Sequence, residues 1–202
     1  TYAGAHYEFK IEQETVIKFR ELAAMNGGTL FMGVLAALNT LFYRYTGQND
    51  IIIGTPISGR EHPDLENQIG FYLNTLALRI KFKEEETFTQ LLQTVKKVAL
   101  GAYEHQMYPF DKLIDEVKIK REPGRYPLFD VMADMINLTL PQRSNPKAPL
   151  EPAESLEQVE PFEPFEPFEQ EADPEFLEIA KSRAKFDLVI YFYEGNQKIK
   201  VD

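Results

Sequence analysis

The stretch Asn49–Glu66, NDIIIGTPISGREHPDLE, decides how the chain is read. Ile51, Ile52 and Ile53 form a β-branched run typical of a strand covered on both faces. Gly54 follows, then four residues, then Gly59 and Arg60. A strand feeding a G-x-x-x-x-G loop with a cation behind it comes close to a phosphate-cradling loop. That chemistry needs Lys and then Ser or Thr after the second glycine, at the start of a helix whose amides face the phosphates. Here Arg60 and Glu61 follow, His62-Pro63-Asp64 opens no apolar helix, and Pro56 removes a backbone donor. The loop is not a nucleotide site.

Outward from this strand the pattern alternates between helix and strand. His6 to Ile11 reads as a strand. Glu12 to Asn26 reads as a helix, with Val16, Phe19, Leu22 and Ala23 on its buried stripe. Asn26-Gly27-Gly28 ends it, since glycine takes a left-handed cap at little cost. Thr29 caps a second helix to about Tyr45 that is apolar almost all round (Leu30, Phe31, Met32, Val34, Leu35, Leu38, Leu41, Phe42) and so should be buried. Beyond the loop come a strand over Tyr72–Phe82 and a helix opened by Thr87 and reaching about His105. Pro127–Leu138 is strand-like, and Lys185–Tyr193 pairs with Lys198–Val201 as a hairpin. This order predicts an α/β (α+β) domain with a mixed sheet packed with helices.

The formal charge of −10 is localised. Between Glu151 and Glu178 there are 11 acidic residues and no Lys or Arg, which leaves 21 acidic against 22 basic residues elsewhere. No basic stripe with interleaved aromatics stands out, so no nucleic-acid partner is expected. The segment at about 141–173 is rich in Pro and Glu and carries EPFEPFEPFEQ. A period of three matches a polyproline II helix with Phe162, Phe165 and Phe168 along one edge. It reads either as a disordered acidic loop or as an aromatic edge that docks on this chain or a partner.

With 202 residues and 44% hydrophobic composition, the chain can bury one substantial core or two small ones. It has no cysteine, so disulfides and thiolate zinc sites are unavailable and a reducing, cytoplasmic setting is expected. The apolar run Leu30–Tyr45 is too short to span a bilayer, and Thr1 opens without a basic-then-apolar leader, so a soluble protein, or a soluble piece of one, and no membrane are expected. His6, His62 and His105 fall in separate elements at no metal-ligand spacing, and no metal is expected. No G-x-S-x-G elbow or dinucleotide fingerprint occurs. The residues alone support an α/β domain without an internal catalytic constellation.

Several phrases, in chain order, resemble the condensation domains of non-ribosomal peptide synthetases. They are RYTGQNDIIIGTPISGR (Arg44–Arg60), IGFYLNTLALR (Ile69–Arg79), HQMYPFDKLI (His105–Ile114), REPGRYPLFDVM (Arg121–Met132) and KFDLVIYF (Lys185–Phe192). The family's catalytic H-H-x-x-x-D-G motif does not occur in the sequence. The resemblance therefore implies that residues 1–202 are the C-terminal lobe of such a domain, cut at both ends, with the segment at about 141–173 as an insertion. It also implies a chloramphenicol acetyltransferase-like lobe facing an N-terminal lobe across a tunnel.

In that family, an aminoacyl thioester attacks an acyl or peptidyl thioester, and an amide forms. No cofactor would bind directly, because phosphopantetheine arrives on the donor and acceptor carrier proteins. An adjacent adenylation domain is a further implied partner. Carried over residue by residue, Gly54, Thr55, Ser58, Gly59, Arg60 and Asn74 are expected on the acceptor side of the tunnel, with no catalytic residue in this chain. Arg79, His105 and Arg125 are expected to be structural. An epimerisation domain and a non-catalytic carrier-protein platform are the alternatives, and a lone lobe could self-associate through its uncovered face.

Overall fold

Local signals set the helix ends. Gly27 takes φ +66°, and the Gly27 and Gly28 N–H groups close the end of the first helix on Ala24 O and Ala23 O. The Thr29 hydroxyl accepts from Met32 N at 3.2 Å and starts the second, which Gly47 ends at φ +72°. Thr87 and Gln90 form a reciprocal capping box at the third. The structure is a computed structural model describing residues 4–60, 62–65, 68–118, 125–137, 186–195 and 198–201. Its elements are β1 (Phe9–Ile11), α1 (Gln13–Met25), α2 (Leu30–Thr46), β2 (Asp50–Ile57), β3 (Asn74–Lys81), α3 (Phe88–Glu104), α4 (Phe110–Val117), β4 (Val131–Asn137), β5 (Leu188–Gly195) and β6 (Lys198–Val201).

The six strands form one mixed sheet in the order β1-β6-β5-β4-β2-β3. β2 runs parallel to β4 and β4 to β5, whereas the other pairs are antiparallel. Side chains alternate across a strand, so β2 sends Ile51, Ile53 and Thr55 to one face and Ile52 and Gly54 to the other. The first face meets α1, α2 and α3, where Leu35, Ile53, Leu92 and Val95 are fully buried. Each of these contributes about 1.5–3 kcal/mol through removal from water.

The second face is covered over β2, β3 and β4 by α4 and by residues 126–129 and 186. Phe110, Ile114 and Phe129 are buried there against Ile52, Ala77 and Met132. Gly54 makes this layer possible. A Cβ at position 54 would stand 2.2 Å from the Phe129 ring, so the ring lies directly on the strand. Leu128, at φ +76°, bends the backbone just ahead of it.

The mixed sheet packed with helices matches the sequence expectation, and three details differ. α4 was not foreseen; it spans only two turns, and Pro109 starts it. Leu22 and Leu41, placed on buried stripes, are 37% and 45% exposed. In α2, positions 34, 38, 41 and 45 share a stripe that is buried at Val34 and Leu38 and open at Leu41 and Tyr45, while Phe42 and Tyr43 in the same turns stay packed on the core. β3 and β4 start at Asn74 and Val131 rather than Tyr72 and Pro127, where their ladder partners begin. The Pro/Glu-rich segment with Phe162, Phe165 and Phe168 lies outside the described residues.

The Gly54–Phe129 contact has a measurable signature. Gly54→Ala should cost about 1–3 kcal/mol by overpacking, and the same substitution in a Phe129→Ala background should cost distinctly less. Denaturant titrations of the four proteins give the coupling energy, and simple additivity would show that the ring does not rest on Gly54.

Candidate functional site

The residues singled out in the sequence separate into distinct environments. Gly54 is covered by Phe129, whose ring is part of a cluster with Phe110, Tyr126 and Phe186. Burial, and then the nearby Asp111 carboxylate, raises the Tyr126 hydroxyl above its usual range. Thr55 is 3% exposed and lies on the helical face of β2. Gly54 and Thr55 are therefore adjacent in sequence but on opposite sides of the sheet.

Ser58, Gly59 and Arg60 leave the end of β2, beside the first residue of β3, since Ile57 pairs with Asn74. Ser58 is exposed. Gly59 takes φ +59°, and a Cβ there would lie 2.2 Å from Tyr72 O, so two backbone segments meet where only glycine fits. The Arg60 guanidinium donates to three carbonyls: Leu65 O, Gln68 O at 2.8 Å and Gly70 O at 3.3 Å. It also stacks over the Tyr72 ring, 4.4 Å from its centroid, while the Tyr72 hydroxyl donates to Gln68 Oε1 at 3.0 Å.

Asn74 holds the next segment. Its Nδ2 donates to Gln106 O at 2.7 Å and Tyr108 O at 2.8 Å, and its Oδ1 accepts from Phe110 N at 3.1 Å. Both amide hydrogens and one oxygen lone pair are thus engaged. One side chain ties the start of β3 to the turn between α3 and α4, joining the NTL and HQMYPF phrases. His105 is the C-cap of α3, with its N–H on Ala102 O at 3.1 Å and its side chain exposed.

Arg79 and Arg125 lie elsewhere. Arg79 makes a two-point contact with Asp50 across β2 and β3, Nε and Nη2 each 2.7 Å from a carboxylate oxygen. That hydrogen bonding lowers the Asp50 pKa, and the stability it supplies is lost progressively as pH falls from the ordinary carboxylate range through the lowered value. Arg125 forks onto Asp130 at the approach to β4, with Nε 3.1 Å from Oδ1 and Nη2 on Oδ2. Among the described residues no cluster of His, Asp or Glu could hold a metal ion.

The sequence reading missed the apolar display at this end of the sheet. Ile69, Phe71 and Leu73, just ahead of β3, are 104%, 88% and 56% exposed, and Met107 and Tyr108 in the turn held by Asn74 are exposed too. The available signal was their alternation, which continues the period of β3 beyond the point where β2 stops pairing with it. Such a stripe marks a surface that meets another apolar surface.

The Asn74 clamp predicts a pH-dependent variant. Asn74→Asp would aim a carboxylate oxygen at two carbonyls, which raises its folded-state pKa above the unfolded value of about 3.9. Its stability deficit relative to the parent should be small below about pH 4 and should grow as pH rises through that value toward the raised pKa. Thermal unfolding at several pH values tests this; a deficit independent of pH would mean that Nδ2 does not face the two carbonyls.

The geometry can be set beside known proteins. The sequence profile of the condensation domain matches residues 1–202. Surfactin synthase subunit 1 of Bacillus subtilis (strain 168) is 45% identical over 139 residues, covering 69% of this chain and 4% of that protein. The chain thus spans a small fraction of the length of this curated relative. Among solved structures, holo-AB3403, a four-domain nonribosomal peptide synthetase bound to AMP and glycine, superposes with a TM-score of 0.74 at 20% identity, over 99% of this chain and 14% of that one. The first condensation domain of the CDA synthetase gives 0.64 at 15% identity, over 98% of this chain and 39% of that one. The fold of this chain is that of these structures, and the chain belongs to the condensation domain family of nonribosomal peptide synthetases.

Proposed function

We propose that this chain is the C-terminal lobe of a condensation domain that forms an amide bond between two carrier-bound thioesters. The amine of an acceptor aminoacyl thioester attacks the carbonyl of a donor acyl or peptidyl thioester, and the donor carrier's thiol leaves. The observation that carries the reading is a mismatch of coverage. Nearly the whole of this chain superposes on a solved condensation domain, yet it accounts for 39% of that chain. The remaining part is where the His-His motif, missing from this sequence, would lie.

In this reading the lobe, chloramphenicol acetyltransferase-like in type, gives shape rather than proton transfer. Ser58, Gly59 and Arg60 with the following loop, and Asn74 with the turn it clamps, form the acceptor-side wall of the tunnel. Gly54 and Thr55 stand behind that wall as buried scaffold. Ile69, Phe71 and Leu73 supply apolar contact for the N-terminal lobe. Phosphopantetheine enters on carrier proteins, an adenylation domain of the same synthetase supplies the activated acceptor, and the setting is the cytoplasm. The segment at about 141–173 is an insertion in the lobe.

The test is reconstitution with loaded donor and acceptor carriers, following product by mass spectrometry. The lone chain should give no amide above background, and adding the remaining part of its condensation domain should restore product. Turnover by the lone chain would overturn the lobe reading. A reconstituted pair that binds loaded carriers without forming product would favour a non-catalytic platform.

A further inference from the structure

The exposed stripe Ile69, Phe71 and Leu73 poses a physical problem. Ile69 and Phe71 bury almost nothing in this chain and Leu73 less than half of its surface, so apolar burial does little to order the backbone that carries them. The loop nevertheless folds back on itself through polar contacts that converge on one side chain. Arg60 sends its forked donors to Leu65 O, Gln68 O and Gly70 O and sits over the Tyr72 ring. Gln68 is fixed from both sides, with its N–H on Leu65 O at 3.2 Å and its side chain accepting from the Tyr72 hydroxyl. Gly59 and Gly70 leave room for this closure, since a Cβ at either would strike Tyr72 within 2.7 Å. Among the described residues of the loop, 62–65 and 68–73 are tied together by these contacts, and the guanidinium is their centre.

We propose that Arg60 is a positioning residue: it preforms the loop between β2 and β3 so that Ile69, Phe71 and Leu73 are held ready for the other part of the condensation domain. This rests on the lobe reading and deepens it by naming what sets the shape of the junction. The requirement is the planar fork rather than the positive charge. Three carbonyls that point inward from separate residues need several donors in fixed directions, which an ammonium at the end of a flexible stem does not supply. Preforming the loop removes the ordering cost from the docking step. Arg60 touches none of the buried core, so its loss should leave the sheet intact.

The test compares the parent chain with Arg60→Ala and Arg60→Lys, using backbone ¹⁵N relaxation and binding to the remaining part of the domain. In the parent, amide order parameters over 68–73 should be near those of rigid backbone, about 0.85. In both variants they should drop below about 0.6 while β2 and β3 stay unchanged, and binding should weaken by about tenfold or more. A loop as ordered in Arg60→Ala as in the parent would overturn the proposal. So would a loosened loop with unaltered binding, or full rescue by lysine. A parent chain that fails to bind would overturn the lobe reading instead, and the order parameters separate the two failures.

Discussion

One amide side chain sets the geometry at the working end of the sheet. Asn74 stands at the first rung of β3 and holds backbone groups of Gln106, Tyr108 and Phe110, more than thirty positions later in the chain. Those groups lie at a helix end and a helix start, where carbonyls and N–H groups have no partner within a helix. Asn74 satisfies three of them together. It thereby fixes where α4 begins, and α4 is what covers the second face over β2 and β3. Only asparagine or glutamine offers both donors and an acceptor on one planar group, and asparagine has the shorter reach.

The two faces of β2 separate scaffold from surface. Ile51, Ile53 and Thr55 belong to the layer beneath α1–α3, whereas Gly54 lies under an aromatic cluster. Past Ile57, Ser58, Gly59 and Arg60 turn away from the ladder, and Ser58 is exposed. The G-x-x-x-x-G spacing that looks like a phosphate cradle thus has two unrelated causes. Gly54 admits an aromatic ring, and Gly59 admits the backbone of Tyr72. Neither glycine is there for an anion.

Much of this was legible in the sequence because it is local. The glycine stops, the Thr29 and Thr87 caps, the 3.6-residue stripes of α1–α3 and the β-branched core of β2 depend on neighbours within a few positions. What escaped depends on distant partners or short length. α4 is two turns long, too short for a helical stripe to stand out. The need for glycine at 54 is set by Phe129, 75 positions away, and the hydrogen bonds of Asn74 are set by a turn beyond α3. Arg60 was legible as a motif residue but not as the binder of three carbonyls, since backbone acceptors leave no trace in side-chain pattern. Function was less legible still. The residues alone described an α/β domain without catalytic groups, and the ordered phrases supplied the family.

Under the proposed function, this chain is one wall of a shared passage. Its apolar stripe lies at the sheet end where Arg60 and Asn74 concentrate their contacts, so order and exposure coincide. The most direct measurement is hydrogen exchange of this chain with and without the remaining part of its condensation domain. The account predicts that new protection gathers in residues 68–73 and 105–108. Protection confined to the outer edge of β3 or to the solvent side of α1, with these two segments unchanged, would contradict it.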